Sequence, residues 1–244
     1  MDIVQIMKPN IFVFEGVSHL PMKIQPWVEP IVEYLTADVV NSAHNRVDGI
    51  ICAAQDRLQL AGLFPASIAV ITDEQWHDVD YWDSFLTKLY VLQRLNNLCQ
   101  HLTQAEIIQF HSRHKYLIMA YSPVGYQLTG RLVASIRKGS DLHGFFNHYK
   151  AGLMEIFSSL PARNIQVNAL SHMQGYFKRK ATSDEKKRLL WLINDYREGN
   201  LPISQPLAMM RQLLVQYPDN YLSEQYFFEP YPNCIPIREL PYRW

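Results

Sequence analysis

The sequence predicts an α+β protein: a small α/β N-terminal domain over residues 1–82, followed by a mainly α-helical domain over residues 83–244. Three observations carry that reading. Short, β-branched apolar runs bounded by turn residues are confined to the first third of the chain. From Asp83 onward they vanish, and apolar residues recur at spacings of three and four. The charge changes sign at the same place. Residues 1–82 hold four cations against eleven acids, a net −7, and the remainder holds nineteen against twelve, a net +7, within a chain that is neutral overall.

Taken in order, Ile11-Phe12-Val13-Phe14 reads as the first strand and Pro26 to Ala37 as a helix. Gly49-Ile50-Ile51-Cys52-Ala53 and Ile68-Ala69-Val70-Ile71 are short continuous apolar runs of the kind that fill buried strands. Phe85, Leu89, Leu92, Leu95 and Cys99 then form one apolar stripe on a helix over 83–100. Thr103-Gln104-Ala105-Glu106 has the form of a capping box and opens a helix expected to run to about Tyr121. Ser122-Pro123 supplies a cap and a first-turn proline for a helix to about Lys138. Helices near 141–159 and 163–180 follow by the same periodicity. Thr182-Ser183-Asp184-Glu185 is a second capping box, and its helix stops at Gly199, a residue suited to the left-handed cap. A last long helix starts at Pro206 and ends before Pro218, and the tail from Tyr221 is rich in aromatics and prolines that forbid regular helix.

Composition bounds the function. With 48% apolar residues in 244, a sizeable core is available. No apolar run approaches the roughly 18–20 residues that span a bilayer, and the N-terminus lacks the layout of a signal peptide, so a cytoplasmic protein with no membrane partner is expected. Cys52, Cys99 and Cys234 are too far apart for a metal knuckle or a disulfide framework and read as reduced, buried thiols. There is no GxSxG elbow, no phosphate-cradling GxxxxGK[ST] loop and no HExxH.

Two clusters stand out from a core pattern. Phe110-His111-Ser112-Arg113-His114-Lys115 packs two histidines and two cations into six helical residues. His172-Met173-Gln174-Gly175-Tyr176-Phe177-Lys178-Arg179-Lys180 places a histidine, two aromatics and three cations near the end of another helix. Basic heads beside aromatic faces suit a polyanion. In that reading Arg113, His114 and Lys115 contact phosphates while His111 hydrogen-bonds a base or backbone group. Three-residue spacing also puts His111 and His114 on one helix face, compatible with two metal ligands, although a third is lacking nearby. A third reading is structural, with the histidines satisfying helix ends at a bundle junction. Lys178, Arg179 and Lys180 favour a helix C-terminus, and Lys186, Lys187 and Arg188 extend the electropositive surface. Tyr196, Tyr217, Tyr221, Tyr226 and Tyr231, with Arg197, offer flat partners for unpaired bases, though tyrosines of this kind are more often core or wall residues.

Read together, FHSRHK, Gly130-Arg131-Leu132-Val133-Ala134, Asn168 with His172-x-x-Gly175-Tyr176-Phe177-Lys178, Tyr196-Arg197-x-Gly199, Pro202 with Pro206-Leu207, and Tyr217-Pro218-x-x-Tyr221-Leu222-x-x-Gln225 resemble the YbgA-like domain, a bacterial domain of unknown function. The resemblance covers roughly residues 84–238. That domain is often fused behind a thiouracil desulfidase, an iron–sulfur enzyme acting on 4-thiouridine in transfer RNA, so the resemblance implies a helical domain that presents or grips RNA. The N-terminal half is faintly similar to the end of such a desulfidase, with Val47-Asp48-Gly49-Ile50-Ile51 at its glycine-containing strand. Where that family carries a serine- and cysteine-bearing loop, this chain reads Ala53-Ala54-Gln55-Asp56-Arg57-Leu58-Gln59-Leu60, and the cysteine expected near the N-terminus is absent. Iron–sulfur desulfidase activity is therefore not expected, since three thiolates would have to converge from unrelated contexts. The last helix, Met209 to Gln216, is also less basic than the resemblance implies.

The expected function is an RNA-binding accessory module, the RNA being transfer RNA, with a thiolated form as its finer version, and with no cofactor and no metal. The expected contact set is His111, Arg113, His114, Lys115, Arg131, His172, Tyr176, Lys178, Arg179, Lys180, Lys187 and Arg197. Two alternatives stand beside it. One is an enzyme with a histidine-centred, metal-assisted site at His111, His114 and His172. The other is a structural module whose acidic and basic halves meet within one chain or between copies in a homo-oligomer.

Overall fold

The computed structural model describes residues 8–14, 20, 24–29, 33–35, 47–232 and 236–240. It has the α+β architecture that the sequence predicts, a small parallel sheet followed by a mainly helical body. The strands are β1 (Asn10–Val13), β2 (Glu33–Leu35), β3 (Gly49–Cys52) and β4 (Ala69–Thr72), in the order β2-β1-β3-β4. All pairs are parallel, with Ile11 opposite Gly49 and Gly49 opposite Ala69. Alternation sends neighbouring side chains to opposite faces. Ile11, Ile51 and Ile71 fill one core, while Phe12, Ile50 and Cys52 join Leu60 and Ile68 in a smaller one behind the sheet.

Two short helices belong to this layer, α1 (Gln25–Val28) and α2 (Arg57–Ala61). The helix expected over Pro26 to Ala37 is corrected here: helix ends at Val28, and Glu33–Leu35 is a strand. Its partner explains the difference, because Asn10, Ile11 and Phe12 of β1 pair with Glu33, Tyr34 and Leu35, and a ladder outweighs local helical spacing. Positions 30–32 and 36–37 of that segment lie outside the described residues.

Helix α3 (Val79–Leu98) is the spine. The Asp78 carboxylate accepts from the Asp80 N–H at 2.9 Å and caps its start. Trp82, Phe85, Leu86 and Leu89 pack under the sheet, and Val91, Leu92 and Leu95 pack into the large core of the helical body. The expected division between residues 82 and 83 falls inside this helix. Gly49 lets the helix lie close on β3, since a Cβ there would stand 2.9 Å from Leu89 Cδ1 and 3.2 Å from Phe85 Cζ.

The rest of the body is α4 (Gln104–Arg113), α5 (Lys115–Tyr121), α6 (Pro123–Ala134), α7 (Leu142–Ile156), α8 (Arg163–Gln174), α9 (Ser183–Glu198), α10 (Ser204–Gln216) and α11 (Asn220–Ser223). Thr182 and Glu185 cap each other's backbone at the start of α9, and Gly199 ends it at φ 83°. Helix α6 stops at Ala134, four residues sooner than expected, where Arg137 to Ser140 turn back through Gly139 at φ 88°. Helix α8 gives way at Gly175 to one 3₁₀ turn.

The proline-rich tail is fastened to the spine. Arg238 forks onto Asp83, Nε to Oδ1 at 2.7 Å and Nη2 to Oδ2 at 3.2 Å, while the Tyr231 hydroxyl donates to Oδ1 at 2.6 Å. Among the described residues, no helix is long and apolar enough to cross a membrane. Cys52 is buried, and burial pushes its thiol up to about 11. Cys99 is exposed, against the expectation of a buried thiol, because it lies on a 3₁₀ turn where the apolar stripe runs out. Cys234 lies outside the described residues.

Candidate functional site

The helix expected from Thr103 to Tyr121 is two helices, and the break between them organises the site. Thr103 caps α4 as predicted, its hydroxyl accepting from the Glu106 N–H at 3.2 Å. The chain then leaves helical geometry at His114, with φ −96° and ψ 2°. The tail satisfies the backbone groups this frees. Tyr226 N–H donates to the Arg113 carbonyl at 3.0 Å, and the buried Gln225 amide donates to the Ser112 carbonyl at 3.0 Å. Gln225 also accepts from the Tyr116 N–H at 3.5 Å. No spacing within residues 103–121 reveals a partner more than a hundred residues away.

The break turns His114 into the core. It is fully buried, its Nδ1 donating to the Phe110 carbonyl at 2.7 Å and its Nε2 accepting from Arg94 Nε at 3.0 Å. The ring lies between Phe110 and Tyr226, with centroids 3.8 and 4.4 Å away. Burial, then the Arg94 guanidinium, holds it far below the usual imidazole range. Both ring nitrogens are engaged, so His114 is neither a phosphate contact nor a metal ligand, which corrects both earlier readings and leaves it as a bundle-junction residue. Arg94 in turn reaches the Pro230 carbonyl at 2.9 Å and sits 4.1 Å over the Tyr226 ring, while its buried Nη2 has no partner among the described residues.

His111 is also buried. Its Nδ1 meets the Tyr149 hydroxyl at 3.0 Å, and its ring lies parallel to Tyr126 at 5.6 Å. Nε2 has no partner among the described residues and faces Gly130, where a Cβ would sit at 3.4 Å. Burial pushes the ring down to about 4. His172 is exposed on α8, and among the described residues no three His, Cys, Asp or Glu side chains are grouped to hold a metal. The histidine-centred constellation of His111, His114 and His172 is therefore not assembled.

What does converge is a set of tyrosines. The Tyr116 hydroxyl donates to that of Tyr176 at 3.2 Å, and Tyr176 stacks on Tyr221 at 6.2 Å with 20° between rings. Tyr126 lies near enough for its phenol to feel Tyr176. Lys115 Nζ stands 5.0 Å from the Tyr116 ring and 5.8 Å from that of Tyr221. Tyr116 is buried, Tyr126, Tyr176 and Lys115 are half-buried, and Tyr221 is exposed, so one cation and three of the tyrosines keep some exposure. Helices α5, α6 and α11 and the turn after α8 each supply one or two of these residues. Tyr126 and Tyr116 escaped sequence reading, because an aromatic at helical spacing looks like core.

The remaining predicted residues divide. Arg113 is paired with Glu224 at 3.1 Å, Lys180 reaches the Pro218 carbonyl at 3.3 Å, and Lys187 lies 3.8 Å from Asp184. Arg131, Lys178, Arg179 and Arg197 are exposed. Lys187 and Arg197 ride on α9, which packs between α8 and α10. Of the twelve expected contacts, the interactions above join only His111, Lys115 and Tyr176 to the tyrosine group.

A family model described as "Protein of unknown function (DUF1722)" matches residues 115–232, a segment that contains Lys115 and all four tyrosines. The chain is 34% identical over 157 residues to "Uncharacterized protein YbgA" of Escherichia coli (strain K12), covering 64% of this chain and 93% of that protein. No solved structure matches.

Proposed function

The chain belongs to the YbgA family of proteins of unknown function, and from that premise we propose that it binds single-stranded stretches of structured RNA, most naturally transfer RNA, as an accessory module. The observation that carries the reading is the grouping of Lys115 with the Tyr126, Tyr176 and Tyr221 faces. Aromatic faces accept unpaired bases of any identity, and a cation beside one of them neutralises a phosphate of the same strand. Exposed Lys178 and Arg179, just beyond Tyr176, and the +7 charge of residues 83–244 supply the longer-range attraction. A preference for thiolated RNA is the finer form of the proposal.

The test is a gel-shift titration against bulk transfer RNA with and without 4-thiouridine, at two salt concentrations, beside a Lys115→Ala/Tyr221→Ala variant. Tyr221 is exposed and Lys115 half-buried, so folding should change little, which circular dichroism checks. Binding that weakens with salt and falls about tenfold or more in the variant is expected. Binding that ignores salt, or that survives in the variant, rejects the proposal.

A further inference from the structure

A cleft of about 260 Å³ lies between the sheet layer and the helical body, walled by α2, β4, α3 and the end of α7. Its size sits just below the roughly 300–1,000 Å³ of drug-sized ligand sites, which suits a small metabolite. Phe64, Phe85 and Phe157 give it an apolar wall. Lys88 and Arg57 line it too, and no Asp or Glu does among the described residues.

Lys88 is the unusual member. Only 7% exposed, it donates to Ser158 Oγ at 2.9 Å and to the Ala66 carbonyl at 3.5 Å. An ammonium has three protons, and the described residues provide those two acceptors. Burial, and then the nearby Arg57 guanidinium, pulls this lysine down to about 8. Among the described residues this buried cation has no carboxylate partner and stands near a second cation, a costly arrangement that an anion would relieve.

We propose that this cleft binds a small carboxylate with an apolar body, its head on Lys88 and its body against Phe64, Phe85 and Phe157. The site is separate from the tyrosine group and does not depend on RNA binding. It is tested by calorimetric titration of the full chain at neutral pH with hexanoate and benzoate, each beside its amide, hexanamide and benzamide. At least one acid should bind about tenfold or more tighter than its amide, and that preference should vanish in Lys88→Met. A measurement on the unaltered protein keeps the proposal open to refutation if the variant misfolds: saturating acid should slow trinitrobenzenesulfonate labelling of Lys88, read by peptide mass mapping, and the amide should not. The proposal falls if neither acid is preferred over its amide, if the preference persists in Lys88→Met, or if acid leaves the labelling of Lys88 unchanged.

Discussion

Asp83 and Lys88 are five residues apart on α3, yet the charges they gather are treated in opposite ways. At Asp83 the carboxylate takes both the Arg238 fork and the Tyr231 hydroxyl, so a cation buried to 10% exposure finds its counter-charge inside the molecule. At Lys88 a cation at least as buried finds a hydroxyl and a carbonyl. Arg94, six residues further on, is a third case, leaning on the neutral His114 ring and the Tyr226 face. A buried charge with its counter-charge fastens one part of the chain to another, whereas one without is a standing cost to the fold. That contrast separates a structural clasp from a site awaiting a ligand.

The strongest way to break the comparison is Asp83→Ala, which leaves Arg238 buried and unpaired. A loss of about 3–5 kcal/mol in urea unfolding is expected. A loss no greater than that for removing Glu224 from its exposed pair with Arg113 would show that the clasp carries little.

Acid probes the third case. His111 and His114 are held neutral in the fold, while in the unfolded chain they protonate near the ordinary 6.5. As pH falls below that value the unfolded state takes up protons that the folded state refuses, so stability drops. For His111 the drop continues until about pH 4 and reaches up to roughly 3 kcal/mol, with His114 adding in the same direction. Urea midpoints at pH 7, 6 and 5 should decline in step, and a flat series would contradict the buried, neutral assignment.

The smallest effect has the opposite sign. Lys88→Met removes a buried charge, keeps most of the volume, and should stabilise the unliganded protein at pH 7 by about 1 kcal/mol. Destabilisation of similar size would mean that Lys88 is held for packing, and the contrast with Asp83 would lose its meaning.

Much of the fold was legible because its signals are local. The Thr182 box, the Gly199 cap and the runs at Ile11, Gly49 and Ile68 each depend on residues a few positions apart. The strand at Glu33 and the break at His114 depend on partners in β1 and in the tail, so helical spacing alone misled. The site was legible in part for the same reason. Lys115 and Tyr176 stood out by composition, but whether a histidine faces water or core is decided by what packs over it. Lys88 did leave a trace: it falls three residues after Phe85 and four before Leu92, a cation inside an apolar stripe. Arg94, three after Val91, repeats it.

Helix α3 carries one more consequence. Its first half completes the core beneath the sheet and its second half completes the core of the helical body, so neither region can lose that helix without the other losing a wall. Heat should therefore enter both regions together, as one cooperative transition, despite their opposite charge and different architecture.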